Sequence, residues 1–350
     1  KELEEEKSLA HFQVLVGADY ALKGEDLLLR LQYLEDSFKE AEKTNNIELM
    51  APIGLLLCTF YWWIGECFKI IDMSSKVIAL LDKTQRQSEF FGRPFNVYAH
   101  FHGKYAGSMG ILGNFEEGKV LVEKGIDFAL KIKDLFSLGL LELDYGTMQN
   151  IKGDGENAIE HLQNCIRYCE EGQIAILLGP AWSRLGWGYC LLGNLETARK
   201  HMEKGLKIHS DAGLQYHLSL QYGLLGMVHL KSGDFKNAQS CAEEALKLSQ
   251  KNHEKWAEGF IWILLGRIFG KARKSQDDKA EKSILQGIKI LNELQLKPLY
   301  AQGYHFLGEL YANKGQQNKA IKNLKKAEGM FREMGMDYWL TKTDEVLKGL

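Results

Sequence analysis

A two-residue turn motif recurs every forty residues along the middle of the chain. Gly-Asn or Gly-Asp pairs stand at positions 113, 153, 193 and 233. Five residues after each turn glycine comes a small residue, and seven residues before it comes a glycine or alanine. Self-similarity at a fixed period of this length predicts a stack of equivalent units rather than one globular core.

Each element of the motif has a physical reason. A glycine just past a helix end adopts the left-handed conformation that terminates the helix without steric cost. The Asn or Asp that follows can cap the next helix through its side-chain oxygen. Small residues in mid-helix let two antiparallel helices approach closely. The motif therefore predicts helical hairpins, each too apolar on one face to be stable alone.

One unit shows the pattern most completely, with Trp182, Leu185, Gly186 and Tyr189 before the turn and Ala198 after it. This unit resembles the tetratricopeptide repeat, and the resemblance covers nearly the whole chain. It implies an all-α fold, an α-solenoid of about eight antiparallel hairpins that forms a right-handed superhelix. Turns are expected near Gly24, Gly65, Gly113, Gly153, Gly193, Gly233, Ser275 and Gly315. The period of about 40 residues exceeds the standard 34, so longer helices are expected.

The chain can be divided into segments according to how regularly the motif recurs in each. Residues 1–87 carry degenerate helical repeats, and residues 88–96 are expected to form a loop. Residues 97–336 hold the clear tetratricopeptide-like repeats. Residues 337–350 are expected to form a C-terminal helix that caps the last hairpin.

A narrower resemblance rests on the forty-residue units, the Arg93-Pro94 loop and the segment from Glu328 to Trp339. These features resemble the C-terminal repeat region of bacterial signalling proteins that carry a class III cyclase or kinase domain and a P-loop ATPase. The architecture is also similar to the sensor domain of MalT-type activators. The resemblance implies that catalytic domains lie outside this chain. The start at Lys1, without an initiator Met, suggests a fragment of a longer protein.

Composition narrows the class of partner. The chain is 45% hydrophobic and 26% charged, with a formal net charge of −2. A nucleic-acid-binding domain usually carries a basic stripe, so nucleic acid is not an expected partner. The most apolar run, from Ile53 to Ile64, is too short to span a bilayer, and no membrane contact is expected. The cysteines lie in helical patterns, which favours a reducing, cytoplasmic location; they are Cys58, Cys67, Cys165, Cys169, Cys190 and Cys241.

Sequence motifs for catalysis are absent. The chain contains no P-loop, no G-x-S-x-G, no H-E-x-x-H and no C-x-x-C pair. We therefore expect no enzyme activity, no cofactor and no metal. His161, Cys165 and Cys169 share a helix face and could ligate zinc, but core packing is the favoured interpretation. The aromatic cluster at residues 60–63 could stack a ligand, although such clusters are more often core.

The first helix of each hairpin is expected to line the concave surface of the superhelix. In the standard register that surface collects cations, aromatics and carboxylates suited to a peptide or helix. The alternative is that several of these side chains simply pack between units. The predicted groove consists of Lys104, Asp144, Arg184, Trp187, Met227, Lys231, Arg267, His305 and Glu309.

Two functions from different classes remain. The favoured hypothesis is a non-enzymatic interaction scaffold that binds a peptide or partner domain, in another protein or in its own parent chain. The alternative is a small-molecule sensor that controls an attached ATPase or cyclase. A deep apolar pocket with convergent polar groups would favour the sensor, and an open groove the scaffold. The sequence leaves the oligomeric state open.

Overall fold

The structure, a computed structural model, describes residues 27–214, 217–272 and 277–350. Across these ranges it contains helices and no β-strand. The helices are α1 (Leu27–Lys43), α2 (Ile47–Ile64), α3 (Cys67–Thr84), α4 (Val97–Leu112), α5 (Phe115–Ile132), α6 (Leu135–Lys152), α7 (Gly155–Glu171), α8 (Ala175–Leu191), α9 (Leu195–Asp211), α10 (Leu218–Lys231), α11 (Phe235–Lys251), α12 (Lys255–Ala272), α13 (Asp277–Glu293), α14 (Lys297–Asn313), α15 (Gln317–Met334) and α16 (Asp337–Lys348).

Consecutive helices pair into antiparallel hairpins, from α2–α3 to α14–α15. Helix α1 precedes the first of these hairpins, and α16 follows the last. The hairpins stack in chain order, so the all-α solenoid predicted from the repeat is confirmed. Turns predicted at Gly24 and Ser275 lie outside the described residues. The remaining predicted turns fall between paired helices.

The turns have the predicted local chemistry. Gly113, Gly153, Gly193 and the other turn glycines have positive φ, the region that favours glycine. Asp154 accepts a hydrogen bond from the Asn157 backbone N–H at 3.2 Å, which caps α7. The corresponding residues cap α9 and α11 in the same way. Asn114 is different, because its side chain makes no capping bond to α5.

Helices within a hairpin approach closely where the motif places small residues. A Cβ added at Gly186 of α8 would lie 2.6 Å from the Ala198 carbonyl oxygen and 2.6 Å from Met202 Cγ of α9. Ala198 is itself 0% exposed. Equivalent close approaches occur between α6 and α7, α10 and α11, α12 and α13, and α14 and α15. The small residues therefore set the spacing of each hairpin.

Residues 85–96 connect α3 to α4 and contain no helix. The segment is fixed at both ends. Arg86 forms ion pairs with Glu48 at 2.8 Å and Glu89 at 2.6 Å. Asn96 accepts from the Ala99 backbone N–H at 2.9 Å, and its own N–H donates to Asp134 at 2.7 Å. These contacts hold the segment against the ends of α2, α4 and α6.

The solenoid returns on itself, so that late hairpins contact early ones. The Trp62 ring of α2 lies 6.0 Å from the Trp256 ring of α12. The Gln302 side chain of α14 donates to the Ile151 carbonyl of α6 at 3.4 Å. The turn glycine Gly153 lies so close to α16 that an added Cβ would be 2.9 Å from Tyr338 Cβ. The late hairpins therefore contact the early ones across the concave side of the solenoid.

The apolar run from Ile53 to Ile64 was expected to be too short to span a membrane. Helix α2, which contains this run, begins six residues earlier. It has 18 residues and a mean hydropathy of 1.6, enough by length and composition to cross a membrane. However, 67% of it is buried within the protein, and buried core helices meet the same criteria. Phe60 and Cys58 near its centre are 0% exposed. We therefore describe α2 as part of the core.

A leucine at Gly186 should disrupt the α8–α9 hairpin. Because backbone and Met202 atoms already occupy the space for a Cβ, Gly186→Leu should lower the free energy of unfolding by about 3 kcal/mol or more. Gly329→Leu is the matched control, since Gly329 is an exposed helical glycine of α15 with nothing within 4 Å of an added Cβ. Chemical denaturation of both variants would test this. Equal stability of the two would mean that the small-residue contact does not set the helix spacing.

Closure of the solenoid can be tested at the turns. Gly153 and Gly193 are equivalent turn glycines with φ of 97° and 81°, so an alanine at either is strained by about 1–2 kcal/mol. Only at Gly153 would the new methyl also meet Tyr338 and Trp339 of α16. Gly153→Ala should therefore lose about 1 kcal/mol more stability than Gly193→Ala, measured by urea unfolding. Identical losses would argue against the contact between the α6–α7 turn and α16.

Candidate functional site

The first helices of successive hairpins form the inner wall of the solenoid. Helices α4, α6, α8, α10, α12 and α14 contact one another in sequence as well as their hairpin partners. Two cavities on this wall are lined by described residues. The N-terminal cavity, of about 360 Å³, is lined from α2, residues 85–96, α4, α6 and α8. The C-terminal cavity, of about 250 Å³, is lined mainly from α8, α10, α12, α14 and α16.

The nine groove residues predicted from sequence are divided between these cavities. Lys104, Asp144 and Arg184 line the N-terminal cavity. The other six line the C-terminal cavity, namely Trp187, Met227, Lys231, Arg267, His305 and Glu309. The boundary crosses α8, where Arg184 and Trp187 are three residues apart. That these side chains bind a partner stays a prediction.

The N-terminal cavity combines basic groups with one carboxylate. The Lys104 ammonium lies 3.4 Å from Asp144 Oδ2. Arg184 is 5% exposed, and Arg93 from the 85–96 segment donates to the Pro52 carbonyl at 3.2 Å. Burial lowers the pKa of Arg93, although a guanidinium remains charged at any physiological pH. The cavity is therefore a basic site within an apolar wall.

Its walls are aromatic and aliphatic. Trp62, Trp63, Phe95 and Phe136 line the cavity. The His100 ring stacks on Phe95 with centroids 4.8 Å apart. The core interpretation of the aromatic cluster is right for its first half, since residues 60 and 61 are 0% and 3% exposed. Its second half, Trp62 and Trp63, lines the cavity, and Trp63 is also part of the core; that the cluster stacks a ligand stays a prediction.

Sequence reasoning missed the contribution of the 85–96 segment to this cavity. Arg93 and Phe95 fall outside the repeat, so the repeat register gives them no position. His100 is 7% exposed and lies on the cavity wall. His102, two residues later on the same helix, is 1% exposed and packs on Tyr98 in the core. The sequence signal that could have identified this contribution was the Arg93-Pro94 pair in a long segment between two helices.

The C-terminal cavity has a different character. The Arg267 guanidinium lies 3.7 Å from the centroid of the Phe306 ring, a cation–π contact, and burial lowers its pKa. Lys231 donates to the Cys190 carbonyl at 3.1 Å. The cations Lys231, Arg267, Lys271 and Lys342 line this cavity together with the carboxylates Glu309 and Glu345.

His161, Cys165 and Cys169 do not form a metal site in the described part of the chain. His161 Nδ1 lies 2.6 Å from the Glu142 carboxylate, and its ring stacks on Tyr145 with centroids 3.8 Å apart. The two cysteines are buried with their sulfurs 4.0 Å apart, and the Cys165 pKa is raised well above its usual value. All three side chains serve helix packing.

His305 gives the C-terminal cavity a titratable wall. It is 3% exposed, its Nδ1 lies 3.0 Å from Thr343 Oγ1, and Glu309 is 3.9 Å from its Nε2. Burial lowers the pKa of His305 to about 4. Glu309 opposes this shift, while Arg267 and Lys342 reinforce it.

We expect His305 to make stability depend on pH. Because its pKa is lower in the folded chain than in the unfolded chain, its contribution is present above about pH 6.5 and is lost as the pH falls towards 4. That loss amounts to about 3 kcal/mol between pH 7 and pH 4. Denaturation at both pH values should show a smaller pH effect in His305→Gln. The same pH effect in the variant would mean that His305 titrates normally.

Comparison with known proteins finds tetratricopeptide repeats in two segments of the chain. The tetratricopeptide repeat model matches residues 222–252 and 301–333, which cover the hairpin α10–α11 and most of α14–α15. No protein of curated function matches the chain in sequence. Both matched segments lie in the part of the chain where the sequence motif is regular.

Solved structures share the fold across most of the chain. One is a Rap protein complexed with competence and sporulation factor, with a TM-score of 0.68, 13% identity, and coverage of 93% of this chain and 87% of that chain. The Rap conjugation gene regulator of plasmid pLS20 with the Phr* peptide has a TM-score of 0.67 at 15% identity, covering 84% and 77%.

A third is the APC/C hetero-tetramer Cut9-Hcn1, with a TM-score of 0.57 at 17% identity, covering 92% of this chain and 56% of that chain. At these identities the likeness concerns the fold alone. The repeat matches and the shared solenoid architecture identify the chain as a tetratricopeptide-like helical-repeat protein.

Proposed function

We propose that the chain is a non-catalytic recognition module that holds a short peptide or partner segment on its concave face. The observation that carries this proposal is the pair of cavities on this face, lined by aromatic, cationic and carboxylate side chains from consecutive repeats. Aromatic and Arg side chains in partly desolvated pockets are typical energetic anchors of protein interfaces. The pLS20 regulator was solved with a peptide, so the fold is compatible with peptide binding.

The remaining sequence predictions belong to this proposal. We propose that residues 337–350 cap the last hairpin, because the Trp339 ring stacks on Phe331 with centroids 6.0 Å apart. We also propose that residues 1–87 are degenerate helical repeats, residues 88–96 a loop and residues 97–336 tetratricopeptide-like repeats. A reducing, cytoplasmic location fits six free cysteines. We propose no nucleic-acid or membrane partner.

A second candidate function has one specific observation in its favour. The N-terminal cavity is deep, largely apolar and within the volume range of about 300–1,000 Å³ that small-molecule sites occupy. This favours a small-molecule sensor that controls an attached ATPase or cyclase. Native mass spectrometry of the chain purified from its source would distinguish the two: a stoichiometric small ligand supports the sensor, and its absence removes this support.

Peptide binding can be tested with a library of ten-residue peptides joined through their C termini to a phage coat protein. We expect enriched sequences to bind the chain with micromolar Kd. The double variant Lys104→Met with Arg267→Met should weaken binding at least tenfold, since it removes one cation from each cavity and keeps the aliphatic stems. Isothermal titration calorimetry provides the measurement.

The matched control is Lys236→Met with Lys289→Met, two exposed lysines on the second helices α11 and α13. It should bind the enriched peptides like the wild type. If no sequence is enriched, or if the cavity variant binds as well as the control, the concave face does not hold peptides and the proposal fails.

A further inference from the structure

The N-terminal cavity has an excess of positive charge. Arg93, Lys104 and Arg184 line it, and Asp144 is the one carboxylate among the described lining residues. Asp144 lies 3.4 Å from the Lys104 ammonium, so its charge is offset by that lysine. The aromatic and aliphatic walls screen charges poorly compared with water. An anion would therefore be stabilised in this cavity.

Arg93 is the cation best placed to contact such an anion. Its Nη2 donates to the Pro52 carbonyl at 3.2 Å, which uses one of its five N–H donors. Within the described ranges no carboxylate lies within 4 Å of its guanidinium. The 85–96 segment that carries Arg93 is fixed by Arg86 and Asn96. Among the described residues, the guanidinium is thus held at the cavity wall without a carboxylate partner.

His100 forms part of the aromatic wall of the cavity. It is 7% exposed, and its ring stacks on Phe95 with centroids 4.8 Å apart. Burial, together with the charges of Lys104 and Arg93, lowers the pKa of His100 well below its usual value, so the ring is neutral beside these cations.

The cavity walls indicate what kind of molecule would carry the anionic group. Trp62, Trp63, Phe95 and Phe136 present flat apolar surfaces around a volume of about 360 Å³. A compact dianion such as phosphate would lose much of its hydration here without gaining apolar contact. A carboxylate on an aromatic body matches both features, because a guanidinium binds carboxylates bidentately and the rings pack on the apolar part.

We propose that the N-terminal cavity is a carboxylate-binding site, in which Arg93 holds an acid group carried on an aromatic or large apolar body. Lys104 adds a second positive charge to the same cavity. The inference rests on the proposed binding function of the concave face and names its ligand chemistry. The carboxylate can come from the C-terminal residue of a peptide or from a free organic acid.

The test compares acids with their uncharged amides by isothermal titration calorimetry. The first probe pair is 2-naphthoate and 2-naphthamide, which share one ring system. The second pair is acetyl-Gly-Leu-Phe with a free C terminus and with a C-terminal amide. In at least one pair the acid should bind ten times more tightly than the amide, and Arg93→Met should abolish this preference.

Preference for naphthoate indicates that a free acid suffices, and preference for the peptide acid alone indicates a peptide C terminus as the source. Lys236→Met, an exposed convex position, is the control and should keep the preference. Thermal unfolding establishes that each variant is folded. Should Arg93→Met be unstable, Lys104→Met and Arg93→Lys give the same comparison, with a reduced preference expected in both.

The proposal is overturned if neither acid is preferred over its amide, or if folded Arg93 and Lys104 variants keep the full preference. Such a failure is distinct from failure of peptide recognition. The phage-displayed peptides have no free C terminus, so they can be enriched on the concave face whether or not the N-terminal cavity selects carboxylates.

Discussion

The structure depends on close contact between two helices at small residues. In the α8–α9 hairpin, Gly186 packs directly on the backbone carbonyl of Ala198. Because no side chain separates them there, the flanking larger residues can interdigitate and the hairpin becomes thin and regular. A regular hairpin stacks on its neighbour with the same offset each time. The curvature of the solenoid, and so the concave face, follows from that repeated offset.

Closure adds a constraint that the repeat alone does not contain. The turn glycines at Gly65, Gly113 and Gly153 have neighbours within 3 Å of an added Cβ, which come from the turn after α13, from α15 and from α16. The same position at Gly193, Gly233 and Gly315 has open space. One motif residue therefore serves two roles. In these six hairpins it permits the turn, and in the early hairpins it also lets late segments of the chain approach.

The sequence predicted what is local and periodic. Helix pairing, turn conformation and the side of the hairpin that faces inward all follow from residues within one forty-residue unit. The division of the concave face into two cavities does not, because it depends on contacts such as Gln302 to Ile151 between distant repeats. Arg93 was not predicted for a related reason. It lies in a segment that interrupts the forty-residue period, and it is placed at the cavity by the contacts that Arg86 and Asn96 make with other parts of the chain.

Helix α8 connects the chemistry of the two cavities. Arg184 faces the basic, aromatic N-terminal cavity, and Trp187 faces the C-terminal cavity with Arg267 and Glu309. A ligand in either space contacts this shared wall, so any displacement of α8 by one ligand changes the shape available to the other. Such coupling is reciprocal between two binding sites. The tight fit of α8 against α9 at Gly186 limits that displacement, which links the affinity of the cavities to the same small-residue contact that sets the fold.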